Sequence, residues 1–244
     1  MASKKNWTIK AAVLMFALVL ITSCLTGGTF AKYVTGAEGT GTARVAKFGV
    51  TITADDSTMF KTTYETDDTA ANAAGITNSV ESSNSDRLVA PGTSENGTAA
   101  FSVKGTPEVA VNVAVSLDAD SLKEVFLKKG TYADYTGAGE SFTLDEDYYP
   151  VKFTLTKNGE AVVTDGKLAD VNAKLAEVSK DYAPNTDLSQ QLGEYSLSWK
   201  WDFNGNDQAD TMLGDLAAGT ATADSTAYST DIAFTLNATV TQID

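Results

Sequence analysis

Histidine is absent from the 244 residues, and cysteine occurs once. The first absence removes the usual general base near neutral pH, the commonest zinc ligand and any His-Glu-x-x-His helix. The second confines thiol chemistry to Cys24, so the chain beyond it has no disulfide, no thiol nucleophile and no cysteine ligand for a metal. Serine or threonine catalysis would need a lysine or a free N-terminus as its base, and no spacing singles one out. Basic residues are scarce too, 18 against 32 acidic ones, for a net charge of −14. A field of that sign repels phosphate backbones and anionic lipid, which excludes nucleic acid as a partner. The sequence therefore assigns no catalytic residue, no cofactor and no dedicated metal site, and it reads as a non-enzyme.

What is present begins with an export pattern. Lys4, Lys5 and Lys10 precede the apolar run from Ala11 to Ile21, which is short for a membrane span and suits the hydrophobic region of a secretory signal. Thr29-Phe30-Ala31 places small residues at −3 and −1, so the expected cut lies between Ala31 and Lys32. A rival reading takes Ile21-Thr22-Ser23-Cys24 as a lipobox with Cys24 lipidated. Cutting after Ala31 removes three of the 18 basic residues and none of the 32 acidic ones, which leaves a net charge of −17. The expected organisation is a signal peptide over 1–31, a Gly/Thr-rich mobile or extended segment over 32–43, and one folded domain over 44–244. No membrane span is expected in the mature form.

Alternation marks the strands. Val109, Val111, Val113, Val115 and Leu117 alternate with small or polar residues, as do Tyr149 to Leu155, Tyr195 to Phe203 and Ile232 to Val240. The last two are expected to pair as core strands, and Val45 to Thr53 is expected to be the first core strand. Pro91-Gly92 carries a turn, since proline fixes φ for one central position and glycine accepts φ > 0 at the next. Asn158-Gly159 closes a hairpin into Ala161 to Thr164. Leu168, Val171, Leu175 and Val178 predict an amphipathic helix, and Leu122, Val125 and Phe126 a second, short one. Residues 54–87, rich in Ser, Thr, Asn, Asp and Ala but broken by Met59-Phe60 and Tyr64, read as a short strand or turn inside a long surface excursion. Many strands, one or two short helices in the connections and no βαβ rhythm predict an all-β fold, an antiparallel jelly-roll-like β-sandwich.

Two features invite a ligand. Asp202, Asn204, Asn206, Asp207 and Asp210 resemble the start of a calcium loop, but Asp207 stands where such a loop needs glycine and Leu213 where it needs glutamate. An EF-hand is thereby excluded, leaving either a looser site or a solvated Asn-Gly loop. Trp199 and Trp201 project to one face of their strand, as a sugar-binding platform or as plain core.

Gly27-Gly28-Thr29-Phe30-Ala31-Lys32-Tyr33 and the following Ala43-Arg44-Val45-Ala46-Lys47-Phe48 resemble the TasA/camelysin group, secreted fibre-forming matrix proteins of Gram-positive bacteria. Val89-Ala90-Pro91-Gly92-Thr93 and the closing stretch from Phe234 to Asp244 are similar as well. The resemblance covers the two ends of the mature chain well and its middle loosely, and it implies the same sandwich fold. It also implies a structural subunit of an extracellular fibre or biofilm matrix, located outside the cell or on its surface. A sandwich short of one edge strand would accept Lys32, Tyr33 and Val34 of a neighbour as a donor strand, giving a head-to-tail homopolymer. Other matrix proteins or cell-surface components are further expected partners. A cell-surface adhesin or carbohydrate-binding module is the alternative. Camelysin-type proteins have been associated with metalloprotease activity, but a chain without histidine cannot build an ordinary site of that kind.

Overall fold

The computed structural model describes residues 44–55, 59–133 and 141–243. The chain divides into two compact units, residues 1–46 and 47–244, and only residues 44–46 of the first are described. The second unit is mostly β, its strands joined in antiparallel sheets.

A five-stranded sheet holds β1 (Val50–Asp55), β4 (Ser94–Gly105), β12 (Glu194–Trp201), β9 (Val151–Lys157) and β10 (Glu160–Gly166), in that spatial order. A three-stranded sheet has β5 (Val111–Leu117) between β11 (Lys180–Tyr182) and β14 (Leu236–Gln242). Three two-stranded ladders complete the set: β2 (Thr63–Glu65) with β3 (Asn78–Glu81), β6 (Phe126–Leu127) with β13 (Tyr228–Ser229), and β7 (Gly130–Ala133) with β8 (Ser141–Leu144). The alternation seen in the sequence is the in–out alternation of the sheets. Val111, Val113, Val115 and Leu117 of β5 are at most 4% exposed, as are Val151, Phe153 and Leu155 of β9. Phe101, Leu155 and Leu197 of one sheet and Leu117 and Leu236 of the other line a common apolar cavity of about 30 Å³, so the two inner faces share a core.

Four helices are described. α1 (Thr69–Ala73) is capped by Asp68, and α2 (Leu168–Ala176) is the helix that the apolar spacing predicts, burying Leu168, Val171 and Leu175. Asp170 of α2 reaches back to accept from the Lys167 N–H at 2.9 Å, satisfying a donor that the first turn leaves without a helical partner. α3 (Leu188–Leu192) and α4 (Asp207–Ala218) were not expected. The signal for α4 is nonetheless present: Ala209, Met212, Leu213 and Leu216 fall at i, i+3, i+4 and i+7, behind the cap Asn206 and before the left-handed Gly219.

Several expectations are corrected. Asp118 to Lys129 contains no helix; Lys123 exchanges main-chain hydrogen bonds with Ala233, and Leu127 with Tyr148, so distant pairing overrides the local spacing. β12 and β14 do not pair with each other but lie in different sheets. β1 is an edge strand, and Ile52 remains 40% exposed. The short strand expected near Tyr64 is β2, but the stretch around it is no surface excursion, because Met59 and Tyr64 are buried and the Tyr64 ring meets that of Trp199 edge-on at 6.1 Å. The turn at Ala90–Thr93 forms as expected: the Thr93 N–H donates to the Ala90 carbonyl at 3.0 Å, and Gly92 has φ +82°.

Candidate functional site

An antiparallel sheet hydrogen-bonds on both sides of every inner strand, so chemistry between copies of a β protein begins at its edges. β1 and β10 bound the larger sheet, and β11 and β14 the smaller. Two of these edges are protected. β10 carries register shifts between Ala161 and Val163 and between Val163 and Gly166. β11 is three residues long, and past it β5 is sealed by side chains. The Val115 N–H donates to Ser179 Oγ at 2.8 Å, the Ser179 hydroxyl donates back to the Val115 carbonyl at 2.9 Å, and the Leu117 N–H donates to Asn172 Oδ1 at 2.9 Å.

β14 has none of these devices. Its seven residues, Leu-Asn-Ala-Thr-Val-Thr-Gln, contain no charge and no proline, and its register against β5 is unbroken from Leu236 to Gln242. The phase of its hydrogen bonds follows from the flanking pairs. Ile243 N–H donates to the Ala110 carbonyl at 2.9 Å and Asp118 N–H to the Thr235 carbonyl at 2.8 Å, so the odd-numbered residues bond to β5. The N–H and C=O groups of Leu236, Ala238 and Val240 therefore point to the opposite side, where no strand lies among the described residues. Their side chains, opposite Leu117, Val115 and Val113, share the inner face and are half-buried.

β1 is the second open edge, six residues long with one charge. Ile52 sits opposite Val103, so both side chains lie on the same face; Val103 is fully buried while Ile52 is 40% exposed. The inner face of the larger sheet is thus incompletely covered at β1. Sequence periodicity finds the strands but not their edges, since identical alternation occurs in central and outer strands.

The other candidate residues divide. Trp199 and Trp201 are 2% and 6% exposed, which makes them core and removes the platform on which a carbohydrate-binding reading rested. Phe203, expected on the same alternating face, is 73% exposed and rests its ring over Gly92 of the turn. Asp210, expected in a loop, lies in α4 and is 9% exposed. Its Oδ1 accepts from the Tyr148 hydroxyl at 2.8 Å and from Trp201 Nε1 at 3.3 Å. Burial pushes the Asp210 carboxyl above its ordinary pKa, and nearby Asp207 adds to the shift, while the two donors oppose it. Burial likewise pushes the Tyr148 phenol far up. Ala31, Lys32, Tyr33, Val34 and Cys24 lie outside the described residues. Among the described residues no three acidic, cysteine or histidine side chains cluster to hold a metal, and no helix is long and apolar enough to cross a membrane.

No protein-family profile matches this chain, and no curated protein or solved structure matches it either.

Proposed function

We propose that the chain is exported and serves as the structural subunit of an extracellular fibre, polymerising head-to-tail by strand addition. The observation that carries this reading is the open edge of β14, a regular strand without charge, proline or bulge, beside a smaller sheet of three strands facing a larger one of five. In a jelly-roll-like arrangement of these eight strands, a further strand from a neighbour extends the smaller sheet beside β14. The donor in this reading is the segment 32–43, with Tyr33 and Val34 as side-chain anchors, released at its N-terminus by the cut after Ala31. A donor and an acceptor on different parts of one subunit make a contact that does not close on itself, so the product is a filament. Each main-chain hydrogen bond in the junction contributes roughly 0.5–1.5 kcal/mol net. Copies of the same chain are the primary partner; other matrix proteins or cell-surface components bind along the filament.

The test uses secreted material. Intact mass is expected to place the N-terminus at Lys32, and a lipid-modified Cys24 would refute that processing. A chain lacking residues 32–43 is expected to remain a folded monomer that fails to elongate but caps filaments of the full mature chain. Abundant filaments of unchanged width from the shortened chain, seen by electron microscopy, would mean that the segment is not the donor.

A further inference from the structure

We propose that Asn204 is a site of spontaneous covalent modification, at which the chain loses the Asn204 side-chain amide and gains an isoaspartyl linkage to Gly205. Such a reaction needs no partner and is independent of the fibre reading. It begins with a ring closure: the main-chain nitrogen of Gly205 attacks Asn204 Cγ, a C–N bond forms, the bond from Cγ to Nδ2 breaks, and ammonia leaves with the proton of the attacking nitrogen. Water then opens the succinimide at one of its two carbonyls. Opening at Cγ leaves an ordinary aspartate, whereas opening at the main-chain carbon carries the backbone through the side chain and makes it one atom longer. Only water is consumed. Glycine in the second position leaves the attacking nitrogen unshielded, and the rate then depends on how freely nitrogen and Cγ reach each other.

The chain has three such pairs, Asn96-Gly97, Asn158-Gly159 and Asn204-Gly205, and the fold treats them differently. Asn96 is held in β4 between Glu95, opposite Trp199, and Ala99, opposite Leu197. Asn158 sits in the β9–β10 turn with its carboxamide fixed: Oδ1 accepts from the Glu194 N–H at 2.9 Å, while the Asn158 N–H donates to the Glu194 carbonyl at 2.8 Å. Asn204 lies in the bend between β12 and α4, and both it and Gly205 are exposed. Among the described residues neither the Asn204 carboxamide nor the Gly205 N–H has a hydrogen bond that holds it away from the other. The glycine cannot be exchanged for a shielding residue without a clash, because a Cβ at position 205 would lie 2.8 Å from the Tyr148 hydroxyl. The contact that shapes this loop thus preserves its weak point. The damage reaches α4: Asn206 Oδ1 accepts from the Ala209 N–H at 3.1 Å, and the Asn206 N–H donates to the Tyr148 hydroxyl at 3.3 Å. A longer backbone just ahead of Asn206 displaces this cap, and loss of one cap lowers the Tm of a chain of this size by roughly 2–4 °C.

Ageing the purified protein in mildly alkaline buffer below its Tm, followed by peptide mapping and enzymatic methylation of isoaspartyl groups, tests this. The peptide that holds Asn204 is expected to convert at least tenfold faster than those that hold Asn96 and Asn158, and the aged protein to show the lower Tm. In denaturant, where the fold protects none of the pairs, the three are expected to convert at similar rates. Asn204→Gln, whose ring closure needs a larger ring, is expected to keep its Tm through the same ageing. Conversion of Asn96 or Asn158 as fast as that of Asn204 in the folded protein, or no conversion at Asn204, would overturn the proposal. An equal fall in the Tm of aged Asn204→Gln would overturn the link between this site and the cap of α4.

Discussion

Trp199 Nε1 donates a hydrogen bond at 2.8 Å to the main-chain carbonyl of Met59, 140 positions earlier in the chain. The bond is buried and ties the 59–88 stretch to the centre of the larger sheet, with the Phe60 ring 5.4 Å from the indole.

Trp199→Phe keeps an aromatic ring but leaves that carbonyl unpaired, at a cost of about 1–3 kcal/mol. In a chain of this size the Tm is expected to fall by roughly 2–12 °C. In a chain that begins at Lys32, Trp199 and Trp201 are the only tryptophans, and acrylamide is expected to quench them poorly. Efficient quenching would return both to a solvent-facing surface and revive a sugar-binding reading.

Asp210 makes a pH prediction whose sign is opposite to that of most carboxylates. Its folded pKa is raised above the ordinary 3.8, so between that value and the folded pKa the native state holds the extra proton and stability falls as pH rises. The groups that face it are Tyr148, Trp201 and Asp207. Asn at this position still accepts from Tyr148 and Trp201 without a charge. Asp210→Asn is therefore expected to raise the Tm at pH 7, and the gain to vanish below the ordinary value of 3.8, where the carboxyl is protonated in both states. A lower Tm at pH 7 would show that the ionised carboxylate is favourable.

Ala238→Pro separates folding from assembly. The N–H of Ala238 points away from β5, so proline there removes a donor from the open edge and none from the β5 ladder. Thermal unfolding is expected to stay within about 1–2 kcal/mol of the unaltered chain, in the range of ordinary substitutions. Filament growth is expected to stop. Continued growth at the normal rate would clear β14 of any part in the junction.

The sequence was most legible where one local pattern decided the outcome. β5, β9 and α2 each bury a single face, and their apolar periods say so without reference to the rest of the chain, while Asn158-Gly159 marks the turn into β10. Leu122, Val125 and Phe126 mislead because their spacing is helical while Lys123 pairs with Ala233, more than a hundred residues away. α4 was masked by the Asp/Asn-rich run before it, which suggested an ion loop and drew Asp207 and Asp210 out of their helix. The buried setting of Asp210 had no signature at all, since it depends on Tyr148 and Trp201 approaching its Oδ1 from other segments. Strand order, and with it the open edge of β14, is a property of the whole assembly of strands.

The pairing of β5 with β14 also sets an order in time. Val115 is made early and waits for Ala238, on the order of 120 residues later, while β9, β10 and β12 can already find one another. Loop closure over that distance is slow, and a chain that is made and threaded outward from its N-terminus delivers β14 after every other strand described. The edge strand of the smaller sheet is therefore the last of the described strands to come into being, and an unfinished chain leaves β5 bare on that side.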